Sequence, residues 1–380
     1  MKVIVVNDTT DWYHFGCTGT SLALKNEIEK LGHEVSTFSI VDCNKLNNLP
    51  VSVNDFFDKK GIERFMVSNS KLCDVIQAND IVIVNGEGTL HGIKRGPLSL
   101  LYIAYISKHV FFKNVQIINH SVYPNDSLSV EDDLTLRLYK KVYETIDFVA
   151  IREPLSASIM HGIGLNVNES FDCLPLYIKH HYKPRTSHKQ KELILLSGTA
   201  AWFNLNIFTT NAQSENNLKE GLKQVIEVLK TKISEGHTVK FLYSDIKYPA
   251  KDDQEMITFF MDHMGKNFSV INAPSVDTWL GHIAGAGLLI SGRYHHSIAA
   301  ACLGTEFIAL NSNTPKIMGL MKSMGYPKPL IYSDQNLGQK LYSVINNRSH
   351  IQVNSPDILE NLCRKAQNNF ASLKKLVPKL

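Results

Sequence analysis

A short run of basic side chains in the last third of the chain carries the clearest chemistry. Arg293, His295 and His296 follow an apolar segment, Leu288–Ser291, and precede a run of small residues. The pattern predicts a buried strand, a turn and a helix, with a further strand at Glu306–Leu310. Open parallel sheets bind ligands at the carboxyl ends of their strands, and helix N-termini attract anions. The segment therefore predicts a phosphate or carboxylate site, with a solvated turn as the alternative.

A second polar group follows another predicted strand, Asp80–Val84. In the turn after it, Gly86 and Gly88 bracket Glu87, and His91 comes three residues later. Glycines let the backbone approach a ligand closely, so Glu87 and His91 are candidates for a general base or for hydrogen bonds to ligand hydroxyls. A tight strand-to-helix turn with a solvated glutamate is the alternative.

Further candidates come at the ends of other predicted strands in the first half. His120 ends one strand and Arg152 ends the next, while Trp12 lies in the turn after the first strand. Trp12 either stacks on a ligand ring or packs locally. Arg152 either reaches a ligand or pairs with a carboxylate of the protein, and Asp172 is placed to orient a neighbour. The glycine fingerprints of dinucleotide sites and of P-loops are absent from the sequence.

Strands and helices alternate along both halves, which predicts two parallel sheets with helices on both faces. In the first half we expect strands at Lys2–Asn7, Glu34–Ile40, Asp80–Val84, Gln116–Asn119 and Phe148–Ile151, and helices at Thr20–Leu31, Asp55–Ser70, Lys71–Ala78, Leu98–Phe112, Asp132–Ile146 and Pro154–Met160. In the second half we expect strands at Leu193–Ser197, Lys240–Tyr243, Ser269–Ile271, Leu288–Ser291 and Glu306–Leu310, and helices at Leu218–Ile233, Asp252–Met264, Asp277–Ala284 and Asp357–Leu380. Thr18 or Thr20 is expected to cap the first helix, unless the glycines around them close on a ligand.

Composition sets the broad class of the protein. With 380 residues and 44% hydrophobic content, the chain can bury two cores. A net charge of +4 is small for this length and predicts no nucleic-acid partner. The six cysteines show no C-x-x-C or metal-ligand spacing, which indicates a reducing compartment and no metal site. We expect a cytoplasmic protein, since no run of eighteen apolar residues occurs.

Residues 180–191 are polar, basic and interrupted by proline, as is typical of a linker. We therefore expect one Rossmann-like domain at residues 1–182, a second at residues 190–350, and a final helix at residues 355–380 that packs back toward the first. Two such parallel-sheet domains facing a cleft form the GT-B arrangement.

Taken together, these motifs resemble the polysaccharide pyruvyl transferase family over most of the chain. The most specific block consists of Ser291, Arg293, His295, Gly304 and Lys316, and the supporting positions are Gly86, Glu87, Gly88, Arg152 and Asp172. The resemblance implies a GT-B fold and transfer of an enolpyruvyl unit from phosphoenolpyruvate to a saccharide hydroxyl, with no cofactor and no essential metal. It also implies that the second domain binds the donor and the first domain the acceptor.

The implied mechanism gives the candidates distinct roles. Arg293 would hold the donor's carboxylate or phosphate through bidentate hydrogen bonds. His295, with His296 as second choice, would protonate the methylene carbon, and Glu87 or His91 would take the hydroxyl proton. Further donor contacts are expected from His296, Ser291, Ser297 and Lys316, and acceptor contacts from Gly86, Gly88, Thr89, His120, Trp12 and Arg152.

Three positions depart from the family's usual pattern, and they leave the identity of the donor and of the acceptor open. The first turn reads His14-Phe15-Gly16-Cys17 in place of an Asn-x-Gly-Asp-like motif, Glu87 interrupts a glycine triplet, and His296 replaces a small residue. One alternative is a GT-B glycosyltransferase that uses a nucleotide-activated sugar in capsule, lipopolysaccharide or exopolysaccharide synthesis. Another is a non-catalytic saccharide-binding protein. The acceptor would be a saccharide or a lipid-linked saccharide, and the basic last twenty residues would suit peripheral contact with the inner face of a membrane.

Overall fold

The structure, a computed structural model, describes residues 1–12, 14–88, 90–124, 133–183, 189–199, 215–243, 245, 251–347 and 357–376. The chain divides into two compact units. The first consists of Met1–Trp12, Cys17–Cys173 and Cys363–Leu380, and the second of Tyr13–Gly16 and Leu174–Leu362. No helix in the described ranges is long and apolar enough to cross a membrane.

The first unit alternates strands and helices as its hydrophobic pattern predicts. Its strands are β1 (Lys2–Asp8), β2 (Glu34–Ser39), β3 (Ile81–Asn85), β4 (Leu90–His91), β5 (Asn114–His120), β6 (Val122–Tyr123), β7 (Phe148–Ile151) and β8 (Asn168–Glu169). Its helices are α1 (Phe15–Lys30), whose first two residues belong to the second unit, α2 (Ile40–Asn44), α3 (Lys59–Ser68), α4 (Ser70–Ala78), α5 (Arg95–His109), α6 (Leu134–Tyr143) and α7 (Pro154–Gly162).

Six of these strands form one parallel sheet in the order β2-β1-β3-β5-β7-β8, and β4 pairs with β6 in a small parallel sheet of two strands. The central strand β3 is buried throughout and apolar up to its last residue, Asn85, as expected for a parallel sheet covered on both faces. Because the strands are parallel, the polar residues that follow β3, β5 and β7 all lie at the same edge of the sheet.

The second unit repeats the architecture with a five-stranded sheet. Its strands are β9 (Gln190–Thr199), β10 (Thr238–Leu242), β11 (Phe268–Ile271), β12 (Ala286–Gly292) and β13 (Glu306–Ala309). Its helices are α8 (Leu174–His180), α9 (Glu215–Ser234), α10 (Lys251–Met264), α11 (Val276–Gly285), α12 (Tyr294–Leu303), α13 (Lys316–Met324), α14 (Leu337–Asn346) and the first part of α15 (Ile358–Ala366). The rest of α15 and α16 (Ala371–Leu376) belong to the first unit.

The strand order of the second unit is β11-β10-β9-β12-β13, and every pairing is parallel. Helix α12 ends at Gly304, whose φ of +73° is the left-handed conformation that favours glycine at this position. Helix α8 packs against α12. This contact explains why the division falls at residue 174 and not at residue 182, where the first domain was expected to end.

Several helices differ from their predicted bounds, two of them markedly. Helix α1 begins at Phe15, five residues before the expected start, so Thr18 and Thr20 lie inside the helix and neither caps it. The expected single helix at the end of the chain is interrupted by a 3₁₀ turn at Gln367–Phe370. The side chain of Asn369, buried in this turn, donates hydrogen bonds to the carbonyls of Ala366 and Phe171.

Candidate active site

The turn between β12 and α12 is fixed by hydrogen bonds from its own serine. The Ser291 hydroxyl accepts a hydrogen bond from the backbone N–H of Arg293 at 3.0 Å and contacts the Ser197 hydroxyl at 2.6 Å. Arg293 has extended backbone angles and precedes the first helical residue, Tyr294. The serine therefore positions Arg293 at the carboxyl end of a central strand, where parallel sheets bind ligands.

Arg293 forms an ion pair that the sequence did not indicate. Its Nη2 atom lies 2.6 Å from Oδ1 of Asp253 in α10, and the aspartate side chain is fully buried. The arginine side chain keeps 14% of its surface exposed. A side chain at Gly198 would overlap the Asp253 carboxylate, so a glycine is needed there for the pair to form. Arg293 is therefore held in one orientation by the protein.

His295 directly follows Tyr294 in α12 and is half-buried. Its ring packs against the backbone of Gly16, where an added Cβ atom would overlap the imidazole. Gly16 and His295 both belong to the second unit, since residues 13–16 are part of it. The close approach fixes the position of the His295 ring, two residues after Arg293 in the turn that opens α12.

His296 has a different environment from its neighbour. Its Nε2 atom accepts a hydrogen bond from Nε1 of Trp279 at 3.0 Å, and the residue is 1% exposed. Burial, followed by the charge of Arg293, lowers the pKa of His296 well below its usual value, although a hydrogen bond to the Leu242 carbonyl acts in the opposite direction. With both nitrogens engaged and the ring neutral, His296 is a core residue, and its predicted roles as donor contact and second-choice acid are corrected.

Two predicted donor contacts are also buried. Ser291 holds the turn, and the Ser297 hydroxyl donates to the Arg293 carbonyl at 3.2 Å. Both serines are fully buried, so their predicted contacts with a donor are replaced by roles inside the fold. Lys316 is the half-buried first residue of α13, and its donor-binding role stays a prediction.

In the first unit, Glu87 is bound by several donors. Its carboxylate accepts hydrogen bonds from the backbone N–H of Gly88 at 2.9 Å and from Nδ2 of Asn119 at 3.3 Å, and Nη1 of Arg152 lies 3.4 Å away. The side chain is 2% exposed. These contacts orient the carboxylate, and its assignment as general base stays a prediction.

Arg152 pairs with two carboxylates of the protein. Its Nη1 atom lies 2.7 Å from Oδ2 of Asp172, and its Nη2 atom donates to the Gly88 carbonyl. Asp172 also accepts from the Thr20 hydroxyl at 3.0 Å. Because Arg152 is 1% exposed and fully paired in this network with Glu87, the predicted acceptor contact is corrected to a structural ion pair.

His120 is another predicted acceptor contact that lies in the core. Its Nε2 atom is 2.8 Å from the Tyr143 hydroxyl, and the residue is fully buried. Burial, with a smaller contribution from the Arg152 charge, lowers the pKa of His120 to about 3. A side chain at Gly86 would overlap the His120 ring, so this glycine serves close packing. Neither residue is placed to contact an acceptor.

Asparagines near the same sheet edge were not recognised from the sequence. Asn119, in the left-handed region at φ +56°, donates to Oδ1 of Asn85 at 3.0 Å and accepts from the backbone N–H of Cys173. Asn7, at φ +63°, donates to the Asn85 carbonyl. Asparagine tolerates this conformation better than most residues. An asparagine at the end of a strand was therefore the one sign of these positions that the sequence offered.

The other predicted acceptor contacts are partly accessible. His91 ends β4 and pairs with Tyr123 in the parallel two-stranded sheet, and it is half-buried. Gly88 has a φ of +95°, a conformation that favours glycine. The carbonyl of half-buried Trp12 accepts a hydrogen bond from the Thr18 hydroxyl. Thr89 lies outside the described residues. The roles of His91, Gly88 and Trp12 stay predictions.

A cavity of about 450 Å³ lies elsewhere in the second unit. It is lined mainly by apolar side chains of β13, α13 and α14 and the segment between the two helices, among them Phe307, Met321 and Leu330. None of the predicted site residues lines it.

Comparison with known proteins assigns the family. The family model for polysaccharide pyruvyl transferases matches residues 20–314. The chain belongs to this family. It is therefore a transferase by family, as the motifs around Arg293 and His295 predicted. No curated protein sequence matches the chain.

Solved structures share the fold at low sequence identity. A putative UDP-N-acetylglucosamine 2-epimerase from Listeria monocytogenes matches with a TM-score of 0.55 and 12% identity, covering 99% of this chain and 94% of the other. The UDP-GlcNAc 2-epimerase from Methanocaldococcus jannaschii matches with a TM-score of 0.56 and 13% identity, covering 96% and 99%. The enzyme from Neisseria meningitidis, bound to UDP-GlcNAc, matches with a TM-score of 0.56 and 12% identity over 99% of both chains. These likenesses confirm the predicted GT-B-like fold with two Rossmann-like domains.

Proposed function

We propose that this protein transfers the pyruvyl unit of phosphoenolpyruvate to a saccharide, forming a ketal and releasing phosphate. Two sugar hydroxyls add in turn to the enol carbon, and the bond from that carbon to the phosphate oxygen breaks. One hydroxyl proton ends on the methylene carbon, which becomes a methyl group, and the other leaves with the phosphate. Family membership over residues 20–314 supports this reaction.

The observation that carries the proposal is the placement of Arg293 and His295, two residues apart, at the start of α12. An arginine offers several N–H groups in one plane, which suits a carboxylate or a phosphate. Its ion pair with Asp253 at 2.6 Å fixes the guanidinium before a donor arrives, so less conformational entropy is lost on binding.

His295 supplies the proton in this proposal. An imidazole titrates near neutral pH and can deliver a proton to carbon as the hydroxyl adds. Its ring is confined by the backbone of Gly16, so it holds one position at the start of α12. Positive charge that develops on the enol carbon is balanced by the donor's own carboxylate, which Arg293 binds.

A nucleotide-activated sugar is the second candidate donor. The Neisseria meningitidis protein that shares the fold is bound to UDP-GlcNAc, and Arg293 would suit a diphosphate as well as a phosphoenolpyruvate carboxylate. Phosphoenolpyruvate is favoured because the family match, at the level of sequence, covers the Ser-x-Arg-x-His block. A lipid-linked acceptor and contact with a membrane face remain predictions.

The test compares donors directly. The purified protein is titrated with phosphoenolpyruvate, UDP-glucose and UDP-GlcNAc by calorimetry, and phosphate release from phosphoenolpyruvate is measured with a panel of saccharide acceptors. We expect binding of phosphoenolpyruvate and acceptor-dependent phosphate release. His295→Ala should lower that release by roughly 10²–10⁴-fold, whereas His263→Ala, at an exposed position of α10, should leave it unchanged. Binding and consumption of a UDP-sugar, with no binding of phosphoenolpyruvate, would overturn the proposal.

A further inference from the structure

A second histidine of the second unit is paired with a buried carboxylate. Nδ1 of His14 lies 2.6 Å from Oδ1 of Asp245, and residues 14 and 245 also form an antiparallel backbone bridge. The Asp245 side chain is fully buried, while the His14 side chain keeps 24% of its surface exposed. We propose that His14 is a further catalytic residue of the transfer, oriented by Asp245, and this inference rests on the proposed function.

The position of His14 relates it to the α12 turn. The next residue, Phe15, stacks on Trp279 with ring centroids 6.0 Å apart, and Trp279 donates to the buried His296. The residue after that, Gly16, lies against the His295 ring. Residues 14–16 therefore run along the N-terminal end of α12, where His295 lies. The charge of His14 also contributes, less than burial and the Arg293 charge, to lowering the pKa of His296.

The aspartate determines which ring nitrogen does chemistry. The negative charge of a carboxylate 2.6 Å from Nδ1 favours the proton of neutral imidazole on that atom, so Nε2 carries the lone pair that can accept a proton. When the ring becomes charged during proton transfer, the adjacent Asp245 carboxylate stabilises the imidazolium. An aspartate–histidine pair of this kind holds the ring in one tautomer and one orientation.

The reaction releases two hydroxyl protons, which gives two histidines separate tasks. His295 delivers one proton to the methylene carbon. In our proposal, Nε2 of His14 takes the proton of the attacking hydroxyl while the new oxygen–carbon bond forms. It then gives this proton to the departing phosphate as the bond from the enol carbon to the phosphate oxygen breaks. The second hydroxyl adds to the same carbon and gives its proton to His295, which replaces the one delivered to the methylene carbon. No further reactant is needed, because every proton comes from the acceptor.

Variants of His14 provide the activity test. His14→Ala should lower kcat for phosphate release by roughly 10²–10³-fold and leave the dissociation constant of phosphoenolpyruvate nearly unchanged. Free imidazole should restore part of the lost kcat in this variant. His14→Gln, which keeps a polar side chain beside Asp245, should fold normally, show the same loss and gain nothing from imidazole. Unchanged kcat in both folded variants would overturn the inference.

Asp245 is a positioning residue and is tested by a tautomer measurement. Long-range ¹H–¹⁵N spectra of the wild-type protein should show the proton of His14 on Nδ1. Asp245→Asn should shift it mainly to Nε2 and lower kcat by roughly 10²-fold, since the wrong tautomer then dominates. A proton on Nε2 in the wild type would overturn the inference. Absence of phosphoenolpyruvate turnover in the wild type would instead overturn the proposed function.

Discussion

Arg293 binds the buried carboxylate of Asp253 through Nη2, at 2.6 Å, and 14% of its side-chain surface is exposed. A donor anion would therefore meet a guanidinium whose charge is already partly balanced and whose orientation is set by α10. Desolvating an arginine is costly unless it is paired, so the aspartate stabilises the half-buried cation in the absence of a ligand. Donor binding then depends on the geometry of the guanidinium more than on a general positive field.

Arg293→Lys is predicted to weaken phosphoenolpyruvate binding by roughly 10–100-fold, because an ammonium group cannot make the paired hydrogen bonds of a guanidinium. Isothermal titration calorimetry measures the dissociation constant. Arg64→Lys is the matched control, since Arg64 is 70% exposed and lies 3.8 Å from Asp58 in a surface pair. Equal dissociation constants for the wild type and Arg293→Lys would remove Arg293 from donor binding.

Gly16→Ala is predicted to lower kcat by roughly tenfold or more, because the added methyl group would displace the His295 ring and a misplacement of about 1 Å can cost 10²-fold. Steady-state phosphate release measures the effect. Gly96→Ala in α5 is the control, since an added Cβ there meets no atom within 4 Å. If Gly16→Ala matched the wild type in kcat, the position of the His295 ring would not matter for turnover.

Arg152→Met is predicted to lower the free energy of unfolding by about 3–5 kcal/mol, because it leaves the Asp172 carboxylate buried beside Glu87 without its cation. Urea denaturation followed by circular dichroism measures the change.

The same denaturation experiment includes a surface control. Lys108→Met removes a partly exposed pair with Asp147 and should cost less than about 1 kcal/mol. The double variant Arg152→Met/Asp172→Leu should recover part of the loss, since no uncompensated charge remains at Asp172. A loss for Arg152→Met no larger than that of the surface control would contradict a buried network.

His120→Gln is predicted to make the fold less sensitive to acid. Burial holds the pKa of His120 at about 3 in the folded state, whereas the unfolded chain binds a proton near pH 6.5. The unfolded state therefore gains protons as the pH falls below 6.5. The free energy of unfolding of the wild type then falls by about 1.4 kcal/mol per pH unit, or about 2 kcal/mol by pH 5. Urea denaturation at pH 7 and pH 5 should show that the glutamine variant loses about 2 kcal/mol less of this free energy than the wild type. Parallel losses in both proteins would mean that His120 is not buried in its neutral form.

The architecture could be predicted because apolar strands alternate with amphipathic helices, and that pattern leaves few topologies. Arg293 and His295 could be singled out because they follow a strand and open a helix. Their partners could not, because Asp253 comes from a helix 40 residues earlier in the chain and no local pattern connects the two. The burial of His296 follows from helix geometry, since a residue adjacent to His295 points about 100° away, toward Trp279 and the core.

The first turn of α1 was the least predictable part of the site. Its glycines and hydroxyl groups suggested a loop before a helix that starts at Thr20, whereas Phe15 and Gly16 already belong to the helix. Gly16 is there because a bulkier residue would overlap His295. That requirement is set by a residue almost three hundred positions away and leaves no trace in the local sequence.

Trp279 gives the protein an optical reporter of its own. The indole is fully buried, stacks on Phe15, and meets the His296 ring edge-on while donating its N–H to it. The chain has three tryptophans, so the emission of one can be isolated by replacing the other two with phenylalanine. Any event that shifts the segment of Phe15 or the start of α12 would change the surroundings of this chromophore, and fluorescence could follow it in real time without a label.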